Sequence, residues 1–260
     1  MELYQLILLA YTGLVAGTIN GAVGSGSLIT LPVLLSFGLA PTSAVSTNII
    51  AMVLSAFGGV MAYRTELKSD LLELKPLILI SAVGGVIGAI LLLTTPVAAI
   101  RIVVPILIAF ALVLVVSQPL IVKFILSRAD AKQQNRQPFR KLSLRAAILG
   151  CAIYGGYFNA AQGVLLLATL GASSGLPMRR LVGTKNLLTL AINITAAIMF
   201  TITFFLGRVE VVWPATAAIA TGALIGGYAG GQIAKRIPPW ALRLLIAVIA
   251  SAALVRELLN

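Results

Sequence analysis

The 260-residue sequence contains no histidine, a single cysteine and only seven acidic residues against nineteen lysines and arginines. The missing histidine removes imidazole metal ligands, histidine general bases and histidine proton relays together. A lone Cys151 excludes a disulfide framework and a cysteine metal site, so no cofactor or metal is expected. Charge of either sign is scarce: 10% of residues are charged, 60% are hydrophobic and the mean hydropathy is +1.06. Soluble proteins do not have this composition. About 20 helical residues cross a hydrocarbon core of about 30 Å, and apolar runs of that length recur along the chain. The sequence is that of an all-α, polytopic membrane protein.

The acids that do occur, Glu2, Glu66, Asp70, Glu73, Asp130, Glu210 and Glu257, all fall in expected loops or termini. A cation carrier or a carboxylate proton relay commonly uses buried acids, and none lies deep in an apolar run. The net charge of +12 is concentrated in short connections between apolar runs, so it reads as membrane topology and not as a nucleic-acid surface. The expected partners are a small anionic substrate and the lipid bilayer, with a homodimer left open and nucleic acid excluded.

Apolar runs and their breakers give ten segments: Leu3 to Ile19, Leu28 to Leu39, Ala44 to Tyr63, Pro76 to Thr94, Ile100 to Leu126, Leu144 to Phe158, Val164 to Gly171, Leu187 to Leu206, Val211 to Ile233 and Trp240 to Leu258. Leu3 to Leu14 lacks the basic start of a secretory signal and is kept in the mature fold. Residues 1–126 form a first membrane repeat, 127–143 a basic linker and 144–260 a second repeat. The first two segments of each repeat look short for a full crossing, and a short or re-entrant hairpin is expected there. An offset of 139 places Asn20, Gly24, Thr30 and Leu31 on Asn159, Gly163, Thr169 and Leu170. An offset of 138 places "GGVIG" at Gly84 on "GALIG" at Gly222, and "STN" at Ser46 on "TKN" at Thr184. Near-constant spacing of this kind marks duplication.

Orientation follows from Lys and Arg. With the linker in the cytoplasm, Arg64, Lys68 and Lys75 also lie inside. Most second-half cations, including Arg179, Arg180, Lys235 and Arg243, join them only if the short segments add no net crossing. Five elements per half then give the repeats opposite orientation, the inverted-repeat plan of many secondary transporters.

The stretch "GTINGAVGSGSLITLP", Gly17 to Pro32, interrupts the first apolar run with glycines, an asparagine and hydroxyls. Irregular backbone at membrane depth is tolerated only where protein or a wet cavity covers it. Asn20, Gly24, Ser25, Gly26 and Ser27 describe a turn leading into a helix N-terminus, where free N–H groups and the helix dipole favour an anion. Asn159, Gln162 and Gly163 mirror it. Glycines also serve close helix packing, the plainer reading for any one of them. A second constellation, Thr47 and Asn48 against Thr184, Lys185 and Asn186, follows Pro41 and Pro177, which puts it in N-terminal turns. Lys185 has two readings: a cation facing the substrate, or a side chain snorkelling to the surface beside Arg179 and Arg180. Asn193 reads chiefly as a bond to a neighbouring helix.

At "GTINGAVGSGSLITLPVLLSFGLAP", "AVSTNIIAMVLSAFGGVMAYR" and "LVGTKNLLTLAINITAAIMF" the sequence resembles the TauE/SafE sulfite exporters, over nearly its whole length. The resemblance implies a duplicated polytopic protein that moves sulfite, sulfoacetate or a related organosulfur anion across the cytoplasmic membrane. The second half departs from the pattern: "GYFNAAQGVLLLATLG" keeps Gly163 but neither the glycine density nor the proline of the first. A passive anion channel is the competing function, along with carriage of a different small anion. An intramembrane enzyme is disfavoured, since "GSGS" has no histidine to activate a serine.

Overall fold

The computed structural model describes residues 2–22, 24–68, 71–129, 141–174 and 176–233. The described residues form ten helices and no strands: α1 (Leu3–Ala22), α2 (Ser27–Ser36), α3 (Pro41–Ala62), α4 (Arg64–Leu67), α5 (Leu71–Thr94), α6 (Val97–Ala129), α7 (Leu142–Tyr157), α8 (Gln162–Ser174), α9 (Met178–Phe205) and α10 (Trp213–Ile233). The expected segment Trp240 to Leu258 and most of the basic linker lie outside the described residues.

Among the described residues five helices are long and apolar enough to cross a membrane: α1, α3, α5, α6 over Val97–Ser117, and α9. The protein is a multi-pass membrane protein. Its large apolar side chains point outward, as at Ile7, Leu79, Val83, Ile102, Ile106 and Val113, while Asn20, Ser46, Thr47, Asn48, Ser55, Lys185, Asn186 and Asn193 are buried. Lipid is an apolar solvent, so polar groups gather inside, where they can find partners.

Two boundaries that bear on the site differ from the sequence reading. α1 runs on through Asn20 and Gly21 to Ala22 and reaches 20 residues, a full crossing length and not a short segment. α9 starts at Met178, nine residues before the expected Leu187, because Pro177 supplies the extended N-cap backbone. Ser46 to Asn48 and Thr184 to Asn186 therefore occupy second helical turns, not first ones, and their backbone N–H groups are no longer the free ones of a helix start. α2 and α8 are short, at 10 and 13 residues.

Packing pairs the halves crosswise. α1 lies along α10 and α5 along α7; α10 also packs on α3, α5 on α9, and α3 meets α9. The α1/α10 and α5/α7 contacts use equivalent atoms. A Cβ on Gly222 would strike the carbonyl of Ala10 and the amide of Leu14; one on Gly84 would strike the Cβ of Ala152 and crowd the amide of Ile153 and the carbonyl of Leu149. Gly226 against Leu14 and Thr18 repeats as Gly88 against Ile153 and Tyr157. Backbones touch directly in both places, as small residues allow in membrane helix pairs.

Candidate functional site

α1 ends at Ala22 and the chain turns through Gly24, held at φ 96°, before α2 begins at Ser27. Only glycine adopts this backbone without strain. The close approach demands it again: a Cβ on Gly24 would lie 2.5 Å from the Cα of Gly163 and 3.2 Å from Cδ of Lys185. Gly163 also donates its N–H to the Gly24 carbonyl at 3.1 Å. The two breaks thus meet at their equivalent glycines.

Lys185 reaches this junction from α9. It is 1% exposed, so it does not snorkel; its Nζ donates to the Asn20 carbonyl at 2.7 Å, and Nδ2 of Asn186 donates to the Gly21 carbonyl at 3.3 Å. Gly24 donates its N–H to the Ile19 carbonyl at 3.2 Å. Three successive carbonyls at the C-terminal end of α1, which have no partner within the helix, are satisfied this way. A cation there also faces the negative end of the helix dipole. Among the described residues the ammonium has a neutral carbonyl as its hydrogen-bond partner.

Several polar atoms at the breaks are buried and unpartnered. Ser25 Oγ, Asn159 Nδ2, Gln162 Oε1, Thr184 Oγ1 and Asn48 Nδ2 have no hydrogen-bond partner among the described residues. An unsatisfied buried polar group costs about 1–3 kcal/mol, and five of the thirteen residues singled out by sequence carry one. The amides of Ser25, Gly26 and Ser27 make no hydrogen bond within the described residues, and Gly26 offers no side-chain cap to α2. Before α8 the amides of Ala160 and Ala161 likewise make no hydrogen bond within the described residues, while Gln162 and Gly163 donate to the carbonyls of Asn159 and Gly24.

Not every predicted residue joins this junction directly. Asn20 lies inside the last turn of α1 and donates from Nδ2 to Ser55 Oγ at 3.0 Å. Thr47 Oγ1 accepts the Val212 N–H at 3.1 Å, which fastens the α9 to α10 connection onto α3. Asn48 Oδ1 accepts from Thr30 on α2. Gln162 donates from Nε2 to Asn193 Oδ1 at 3.2 Å, and Asn193 donates in turn to the Met52 carbonyl at 3.4 Å. Asn193 therefore bonds the neighbouring helix, as expected. Ser55 was not singled out by sequence, although an offset of 138 pairs it with Asn193, and two polar residues at equivalent depth in apolar helices are a usable signal. A separate surface cavity of about 300 Å³, lined by Met61, Arg64, Thr65, Glu66, Tyr228 and Gln232, contains none of the predicted residues.

Comparison with known proteins accords with this arrangement. The chain is 24% identical over 260 residues to a probable membrane transporter protein, ORF9, of a Sinorhizobium species, covering 99% of this chain and 94% of that one. It is also 24% identical over 254 residues to the probable membrane transporter protein YfcA of Escherichia coli K12, covering 96% and 88%. No solved structure matches. The family model described as sulfite exporter TauE/SafE matches residues 9–256, and the chain, with its glycine break, its paired second-turn constellations and its buried lysine inside that span, belongs to this family.

Proposed function

We propose that the protein is a secondary transporter that carries a small sulfur-containing anion, such as sulfite, sulfoacetate or a related organosulfonate, out across the cytoplasmic membrane by alternating access. One observation carries the reading: a lysine buried at the meeting point of two helix breaks and bonded to a neutral carbonyl, in a chain whose break residues Ser25, Asn159 and Gln162 carry buried polar atoms without partners among the described residues. An isolated buried charge is costly. An anion between the breaks would offset that cost and satisfy the orphaned donors at once. The Ser25 to Ser27 amides, Ser25 Oγ, Thr184 Oγ1, Asn159 Nδ2 and Lys185 Nζ would face its oxygens. Asn20, Gly24, Gln162, Gly163 and Asn186 would shape the junction, and Thr47 and Asn48 would support it from α3.

The sulfur preference rests on family membership. Two inverted repeats are the arrangement we propose for the membrane, supported by the constant offset that relates glycine contacts in the two halves, with the linker cytoplasmic by the distribution of Lys and Arg. Export can run on an inside-negative potential worth about 2.3 kcal/mol per charge for each 100 mV, without a buried proton carrier. The test is labelled-sulfite counterflow in proteoliposomes, competed by sulfoacetate, thiosulfate, sulfate and a cation. Saturable exchange inhibited by sulfur anions is the expected result. High flux without counterflow would make the protein a channel, and exchange indifferent to sulfur anions would remove the substrate assignment.

A further inference from the structure

The crosswise packing divides the described helices into two sets that do not follow the sequence halves. α1 and α3 of the first half pack with α10 of the second, and α2 with α1 and α3. α7 and α9 of the second half pack with α5 of the first, and α8 with α6; α3 and α9 meet across the boundary between the sets. Inside each set, helices touch backbone to backbone. Gly222 lies on Ala10 and Leu14, Gly58 on Leu224 and Tyr228, and Gly227 on Ser55 in one set; Gly88 lies on Ile153 and Tyr157, and Gly156 on Gly85, in the other. Such contacts have no side chain between them that could repack, so the helices they join are held as a unit.

Between the sets the character changes. The close backbone contact of Gly24 with Gly163 sits in the breaks and not along helices. Four hydrogen bonds that cross there among the described residues run the same way. Lys185 Nζ, Asn186 Nδ2, Asn193 Nδ2 and the Gly163 N–H, all in the second set, donate to the carbonyls of Asn20, Gly21, Met52 and Gly24, all in the first. Hydrogen bonds to carbonyls can be exchanged for others of the same kind, whereas interlocked backbones cannot.

We propose that the moving parts are these two interleaved bodies, α1–α3 with α10 and α5–α9, and that an arriving anion unlocks them by taking Lys185 and Asn186 from the carbonyls of α1. The anion presents the same chemistry to these donors that Asn20 and Gly21 present without it, an oxygen acceptor, but it is bound to neither body covalently. The connections that cross between bodies, α4 and residues 206–212, act as hinges. Each is fastened to the helix start it passes: Tyr63 and Leu67 pack on Gly183, and Val212 donates to Thr47. The role of the anion rests on the transporter reading; the division into bodies does not.

The test uses spin labels on the full chain in a Cys151→Ser background, at the exposed positions Tyr11 on α1, Val83 on α5, Ile198 on α9 and Ile225 on α10. Distances are read by pulsed electron resonance in lipid nanodiscs, with and without sulfite, and again without any anion after Lys185→Gln with Asn186→Ala. The pair Tyr11 and Val83 shares a sequence half but not a body, and is expected to shift by on the order of one helical turn, about 5 Å. Tyr11 with Ile225, and Val83 with Ile198, cross sequence halves within one body and are expected to stay fixed. A shift of Tyr11 against Ile225 with Tyr11 to Val83 unchanged would overturn the division, as would no shift at all in the double variant. A shift in the double variant without one on adding sulfite would uphold the bodies and remove sulfite as the cargo.

Discussion

The break between α1 and α2 turns on a glycine at φ 96°, whereas the break between α7 and α8 turns on Asn159 and Ala161, two residues with side chains held at φ 65° and 57°. α7 also stops sooner: Tyr157 is its last residue, and the 139 offset matches Tyr157 to Thr18, four residues before α1 ends. The polar groups at the two breaks are used differently as well. At the first, the amides of Ser25 to Ser27 have no hydrogen-bond partner among the described residues; at the second, Gln162 and Gly163 donate to the Asn159 and Gly24 carbonyls, and the Ala160 and Ala161 amides have no partner among the described residues. Duplication explains why the chain breaks twice at matching depth. It does not make the breaks equivalent, because the first turns on a glycine and the second on residues with side chains, and the Gly163 amide of the second is held by the backbone of the first.

That asymmetry is broken most severely by Gly24→Ala. The added methyl meets the Cα of Gly163 at 2.5 Å, and the residue stays at a φ that disfavours side chains. Overpacking and backbone strain together give an expected loss of about 2–4 kcal/mol, read as a lowered unfolding midpoint in detergent. Gly163→Ala sharpens the point, since it meets the same clash from a residue outside the positive-φ set. It is expected to cost less, and equal losses would show that strain at Gly24 contributes nothing.

Lys185→Met comes next. A methionine fills the volume of the lysine stem without a charge, so the protein is expected to fold, while sulfite-dependent thermal stabilisation falls by at least about a hundredfold in affinity, roughly 2.7 kcal/mol. Unchanged affinity would remove the lysine from the site. A smaller effect separates the breaks directly. Ser25→Ala deletes a fully buried hydroxyl that has no partner, so stability is expected to hold or rise while affinity drops about tenfold, roughly 1.4 kcal/mol. Asn159→Ala at the second break, where the Gly163 amide is already held by the Gly24 carbonyl, is expected to lower affinity less than Ser25→Ala does. Equal losses in the two variants would mean that both helix starts serve the anion.

Much of this geometry was legible in the residues. Glycine density around Gly24 announced the first break, and the constant offset announced its counterpart at Gly163, because membrane helices show interruptions plainly against an apolar background. The burial of Lys185 was one of two readings, and sequence alone could not choose between them: the deciding partner is a carbonyl of α1, 165 residues away. The continuation of α1 through Asn20 was not legible for a similar reason. Its amide is satisfied by Ser55 on α3, and a helix that would otherwise expose a polar end can carry on when another helix supplies the partner. The second break hid its left-handed residues because Asn159 tolerates that backbone and Ala161 carries no marker for it.

Ala161 also supplies the smallest and most discriminating change. If glycine and alanine were interchangeable between the breaks, Ala161→Gly would stabilise the protein as much as Gly24→Ala destabilises it. The residue is buried, and its methyl contributes about 0.8 kcal/mol of apolar burial. Glycine at this position also gains unfolded-state freedom, which costs about 0.4–1 kcal/mol. Against these losses stands relief of left-handed strain of about 1–2 kcal/mol. The terms offset one another, so the expected change in unfolding free energy is within about 0.5 kcal/mol of zero. A gain well above that would mean that the second break holds strain its packing does not repay; a loss above it would mean that the Ala161 methyl, and not the turn, fixes the start of α8.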